Sequence, residues 1–127
     1  TDWCGWCKVM DQKTFTDPKV VSYVNQHYYA VKFNAESRQD VKIGETVYKF
    51  DAANRAHQAA IALLQGKMSY PSIVYLDEKF SMIQPVPGYM EAKPFHQVIT
   101  FIGGNHHVKE QFDAFKAGAY VKTYSGK

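Results

Sequence analysis

The stretch Trp3-Cys4-Gly5-Trp6-Cys7 decides how the rest of this chain is read. It holds both cysteines of the 127-residue sequence. Their spacing lets the two sulfurs meet in one disulfide or point at one metal ion. Residues 8–15 contain neither proline nor glycine and predict a helix, which puts Cys4 at a helix N-terminus. Unpaired backbone N–H groups and the helix dipole favour a negative sulfur there. A thiol so placed can fall from about 8.5 to a pKa of roughly 3.5–7.5. On this reading Cys4 is the exposed, attacking thiolate. Cys7, one turn inward and more buried, is the thiol that resolves the mixed disulfide. Two blander readings stand beside it. A purely structural Cys4–Cys7 crosslink would close a very short loop and gain little chain entropy. A zinc site needs two more ligands, and with no third cysteine only His106-His107, folded back, could supply them.

The length suits one domain, and 46% hydrophobic and 15% aromatic residues suffice for a core. The net charge is +3 with the basic residues scattered, so nothing points to nucleic acid. No apolar run reaches membrane-helix length. No signal peptide is visible, which is uninformative in a chain that opens inside a motif.

Downstream, Asp17-Pro18 reads as an N-cap and first helical residue, followed by a stripe of Val20, Val21 and Val24. Residues 28–33 are aromatic and β-branched and predict a strand. Residues 36–40 form a polar loop whose charges read as solvated surface. Residues 41–50 predict a small hairpin or an extended excursion. A helix follows over residues 55–65, capped by Asn54, with Ala56, Ala59, Ala60, Leu63 and Leu64 on one face and Gly66 as its stop. His57 on that helix reads as a surface or satisfied histidine. After Pro71, residues 72–76 and 80–86 predict a hairpin around Asp77-Glu78-Lys79. Pro94 starts a helix with Phe95, Val98, Ile99 and Ile102 inward, closed by Gly103-Gly104. Residues 106–117 predict one more helix with Val108, Phe112 and Phe115 inward.

This order, with Trp3-Cys4-Gly5-Trp6-Cys7 at its head, resembles the thioredoxin superfamily over residues 1–103. Ser69-Tyr70-Pro71 looks like that family's cis-proline loop, and Gly88 matches the glycine lining its substrate groove. Cys4-Gly5-Trp6-Cys7-Lys8-Val9-Met10, with Phe15-Thr16-Asp17-Pro18, is similar to the often exported bacterial thioredoxin-like branch with a CGWC motif. The resemblance implies an α/β thioredoxin-like fold, a mixed sheet flanked by helices, in a single domain over 1–127 with residues 104–127 as an appended helical extension.

It also implies a thiol–disulfide oxidoreductase. Cys4 and Cys7 would be catalytic, with a substrate groove of Trp3, Gly5, Trp6, Tyr70, Pro71 and Gly88. Backbone groups of Tyr70 would pair with an extended substrate, as in strand addition. The expected partners are protein thiols or disulfides and an upstream electron donor or acceptor, with no nucleic acid and no membrane segment in this chain. No cofactor is expected beyond the redox-active disulfide, and an extracytoplasmic, periplasmic setting is implied.

Three departures qualify the resemblance. The dipeptide between the cysteines is Gly5-Trp6, neither the Gly-Pro of thioredoxin nor the Gly-His of protein disulfide isomerase. Without a charged neighbour for the thiolate, a reductase or isomerase is expected rather than a strong oxidant. Residues 41–50 lengthen one connection. The family's buried acid belongs to a strand upstream of the motif, and only Thr1-Asp2-Trp3 precede Cys4. That strand would lie between residues 29–33 and 72–76, so the sequence predicts an incomplete domain. Two rival functions remain: a binding module that holds unfolded or cysteine-bearing chains without turnover, and a metal carrier using both thiolates.

Overall fold

A computed structural model describes residues 1–125. It is mixed α/β and groups into two compact units: Thr1–Lys8 with Lys32–Tyr89, and Val9–Val31 with Met90–Lys127. Helix α1, Gly5–Lys13, begins in the first and continues into the second.

In the first unit three antiparallel hairpins carry the strands. Strands β1 (Val41–Ile43) and β2 (Thr46–Tyr48) turn at Gly44, whose φ of 62° lies in the left-handed region. This is the small hairpin among the two expected alternatives. Strands β3 (Phe50–Asp51) and β4 (Ala56–His57) pair Phe50 with His57 and Asp51 with Ala56. Helix α3 therefore starts at Gln58, three residues later than the composition predicts. The reason is local competition for hydrogen bonds. Asp51 accepts from the N–H groups of Ala53 and Asn54 and from the Asn54 side chain, which holds 51–54 in a turn. The cap falls to His57, whose Nδ1 accepts from the Ala59 N–H at 3.1 Å. His57 is fully buried, the satisfied alternative of its two readings.

Strands β5 (Ser72–Leu76) and β6 (Met82–Pro87) form the third hairpin, with Ser72 opposite Pro87. β6 begins at Met82 rather than Phe80 because Asp77 Oδ1 captures the N–H groups of Lys79 and Ser81 and draws them into the turn.

In the second unit, helix α2 (Pro18–His27) is capped as its sequence predicts: Asp17 accepts from the N–H groups of Lys19 and Val20. Helix α4 (Ala92–Gly103) buries Phe95, Val98, Ile99 and Ile102 along one stripe. Met10, Val20 and Phe115 join this core. The Thr14 hydroxyl donates to the Met90 carbonyl and the Tyr28 hydroxyl to the Ile99 carbonyl.

Two expectations fail here. Residues 106–117 are not one helix: a 3-10 turn over His106–Val108 precedes helix α5, Phe112–Ala117. The break turns Val108 outward, 70% exposed, while Phe115 is fully buried and Phe112 half-buried. Nor do residues 28–33 form a strand. They make no ladder among the described residues, and Tyr29 and Val31 face solvent. β-branched and aromatic composition favours a strand only where a partner edge supplies the hydrogen bonds. The expected mixed sheet is accordingly replaced, among the described residues, by two-stranded antiparallel sheets. No helix among those residues is long and apolar enough to cross a membrane.

Candidate active site

Cys4 occupies the N-cap of α1, its carbonyl accepting from the Lys8 N–H at 3.3 Å. Cys4 and Cys7 are joined in a disulfide, with their Cα atoms 5.3 Å apart. The Cys7 N–H, third in the helix, donates to Cys4 Sγ at 3.1 Å. This is the donor an N-cap serine or aspartate oxygen would take, so a sulfur holds the capping place.

Accessibility reverses the expectation from sequence. Cys4 is only 4% exposed, whereas Cys7 is half-buried. As the capping atom, Cys4 Sγ lies over the first turn of its own helix, covered by the Cys7 backbone and by the disulfide itself.

Two indoles flank the pair, Trp3 at 66% and Trp6 at 60% exposure. The Trp3 Nε1–H donates to both carboxylate oxygens of Glu36, at 2.9 and 3.0 Å. The Trp3 ring meets Tyr70 edge-on with centroids 5.6 Å apart. Trp6 lies against Tyr89 at 5.0 Å. The Tyr70–Pro71 peptide bond is cis, the isomer expected for this loop. Pro71 is buried, and its carbonyl accepts from the Gly88 N–H at 2.8 Å. Gly88 has φ 99°, where a side chain would be strained. The structure thus brings Trp3 to Tyr70 and Pro71 to Gly88. Gly5 is exposed, with open space where a Cβ would project.

Burial, and next the charge of Glu36, push the Tyr70 phenol above its ordinary pKa. Glu36 is the residue that sequence reading missed, having been assigned to solvated surface. Its partner is 33 positions away, and no local pattern marks such a pair. Tyr89 was missed as well, although an aromatic directly after Pro87-Gly88 was a usable signal. His106, weighed as a zinc ligand, is instead engaged by the Tyr124 hydroxyl at 3.0 Å and by Glu110 at 3.4 Å.

A CxxC disulfide seated on a helix N-terminus can exchange with other thiols and disulfides, provided that the pair opens to a reactive thiolate. Residues 1–118 match the family model Thioredox_DsbH, described as a protein of unknown function, DUF255. No curated protein and no solved structure matches the chain.

Proposed function

Because the chain belongs to this thioredoxin-like family, we propose that it is a thiol–disulfide oxidoreductase acting on protein substrates through Cys4 and Cys7. The observation that carries the reading is the Cys7 N–H aimed at Cys4 Sγ at the start of α1. In the reduced protein that donor and the helix dipole favour the Cys4 thiolate.

The thiolate attacks one sulfur of a substrate disulfide. A mixed disulfide forms, and the substrate's other sulfur leaves as a thiolate that takes up a proton. Cys7, deprotonated, then attacks Cys4 Sγ and releases the second substrate sulfur. The substrate gains two electrons and the Cys4–Cys7 pair loses them, so an external dithiol must restore the reduced form. No further cofactor enters these steps.

Trp3, Trp6 and Tyr70 form the apolar rim of the groove, and Gly5, Pro71 and Gly88 keep its backbone close to the substrate. The Gly5-Trp6 dipeptide places no charge beside the thiolate. Reduction or isomerisation therefore fits better than strong oxidation, in keeping with the CGWC branch and an extracytoplasmic setting. The burial of Cys4 favours a second reading, a module that holds cysteine-bearing chains without turnover.

Trapping separates the two. Reduced Cys7→Ser protein, mixed with disulfide-bearing proteins, should accumulate mixed disulfides through Cys4 that a non-reducing gel resolves. Cys4→Ser should accumulate far fewer. The opposite pattern would exchange the two roles, and no trapping by either variant would leave the holding module.

A further inference from the structure

Beside the cysteine motif, in the same unit, lies a cleft of about 500 Å³ lined by Glu36, Arg38, Phe50, Ala52 and Arg55. Its formal charge is that of two guanidiniums against one carboxylate. Glu36 is already engaged, both of its oxygens accepting from the Trp3 indole. The Arg38 guanidinium lies over the Phe50 ring, 4.4 Å from its centroid. Stacking of this kind occupies the face of the guanidinium and leaves the N–H groups at its edge for a ligand. Among the described residues, neither arginine is held in an ion pair.

The walls are fixed before any ligand arrives. Arg55, at φ 55°, ends the 51–55 turn that Asp51 ties down. Those hydrogen bonds, from the Asn54 side chain first, hold the Asp51 carboxyl below its usual range. The buried His57 pins the opposite wall: its Nε2 meets the Gln39 carbonyl at 2.7 Å, and its backbone N–H donates to Ala35 at 2.7 Å. The loop that carries Glu36 and Arg38 is therefore fastened to the hairpin that carries Phe50 and Arg55. The Arg38 guanidinium, held over Phe50, together with the positive charge of Arg55 on the same cleft, suits a carboxylate, which a guanidinium grips through paired N–H groups.

We propose that this cleft is a specificity subsite that takes an acidic side chain of the polypeptide substrate, flanking the cysteine that reacts with Cys4. Glu36 places it there, since the same carboxylate that lines the cleft holds Trp3, the residue before Cys4. The choice of a polypeptide rests on the thiol–disulfide reading above; the carboxylate preference rests on the cleft alone.

The test uses two synthetic peptides whose single cysteine carries a pyridyl disulfide, one flanked by Asp and Glu and the other by Asn and Gln. Release of pyridinethione by the reduced protein reports exchange. The acidic peptide should react with a second-order rate constant about tenfold higher, the size of one charge-assisted pair. R38A/R55A should bring the ratio to about one, leaving the neutral peptide's rate unchanged. Equal rates in the unaltered protein, or a ratio that survives R38A/R55A, would overturn the subsite. If R38A/R55A slows only oxidised glutathione and leaves the peptide ratio intact, the cleft serves a small carboxylate and the polypeptide assignment falls.

Absence of exchange with every peptide would remove the thiol–disulfide reading instead. Calorimetry with the same peptides, serine replacing cysteine, then decides the cleft: about tenfold tighter binding of the acidic one supports it, and equal binding overturns it.

Discussion

When the disulfide opens, the Cys7 N–H at 3.1 Å from Cys4 Sγ gains a charged acceptor in place of a neutral one. Hydrogen bonds to ionised groups are roughly twice as strong as neutral ones. In the reduced protein Cys4 should therefore be alkylated faster than Cys7 at neutral pH, as peptide mass spectrometry across a pH series would record. Faster labelling of Cys7 would reverse the assignment. A second residue-scale expectation concerns His96. Burial, and next the charge of Lys19 against that of Asp17, lowers its pKa, and its Nδ1 lies 2.9 Å from the Tyr120 hydroxyl. The sign follows from the direction of the shift. Below the unfolded value of about 6.5 the unfolded chain binds the proton more readily, so this contribution is complete above that pH and is lost as pH falls. The melting temperature of His96→Gln should thus fall less between pH 7 and pH 5 than that of the unaltered protein; equal slopes would contradict it. At this scale the sequence revealed what is local, the cysteine pair and the Asp17 cap, whereas the cis bond before Pro71 followed from the family resemblance. The hydrogen bonds of Glu36 to Trp3 and the burial of Cys4 depend on packing, which neighbouring residues do not encode.

Helix α2 was legible from its Asp17 cap, although Val21 of the expected stripe is exposed, and α4 from its apolar period, although it starts at Ala92, two residues before Pro94, with no side-chain cap from Glu91. Asp17→Ala should remove two hydrogen bonds to the first turn of α2 and cost about 1 kcal/mol in denaturant unfolding. No measurable loss would mean that packing alone holds that end. Gly103-Gly104 is the helix stop that the sequence predicts, since α4 ends at Gly103 with Gly104 as its C-cap, and Gly104 has a steric role besides. Gly104 has an ordinary φ of −88°, but a Cβ there would lie 2.9 Å from the Thr100 carbonyl and 2.8 Å from the His106 ring. Gly104→Ala should therefore destabilise by about 1–3 kcal/mol through overpacking. An unchanged unfolding midpoint would show that the turn yields. The start of α3 and the absence of a strand over 28–33 were not legible for a shared reason. Hydrogen-bond partners outside the window decide both: Asp51 captures the N–H groups in one case, and a ladder partner is lacking among the described residues in the other. A composition window scores preference without seeing those partners.

For the molecule as a whole, order of elements and motif spacing were enough to reach a thioredoxin-like family, and the match over residues 1–118 agrees. The direction of electron flow was not legible, because it depends on the free-energy difference between dithiol and disulfide rather than on the presence of the pair. That difference is a reduction potential, and ~30 mV of it corresponds to about 1.4 kcal/mol. The most direct measurement equilibrates the protein in glutathione buffers of graded ratio and quantifies reduced and oxidised Cys4–Cys7 by alkylation and mass spectrometry. A working couple of reductase or isomerase character should titrate between about −270 and −180 mV. A value below about −300 mV would mark a structural crosslink and contradict the proposed function.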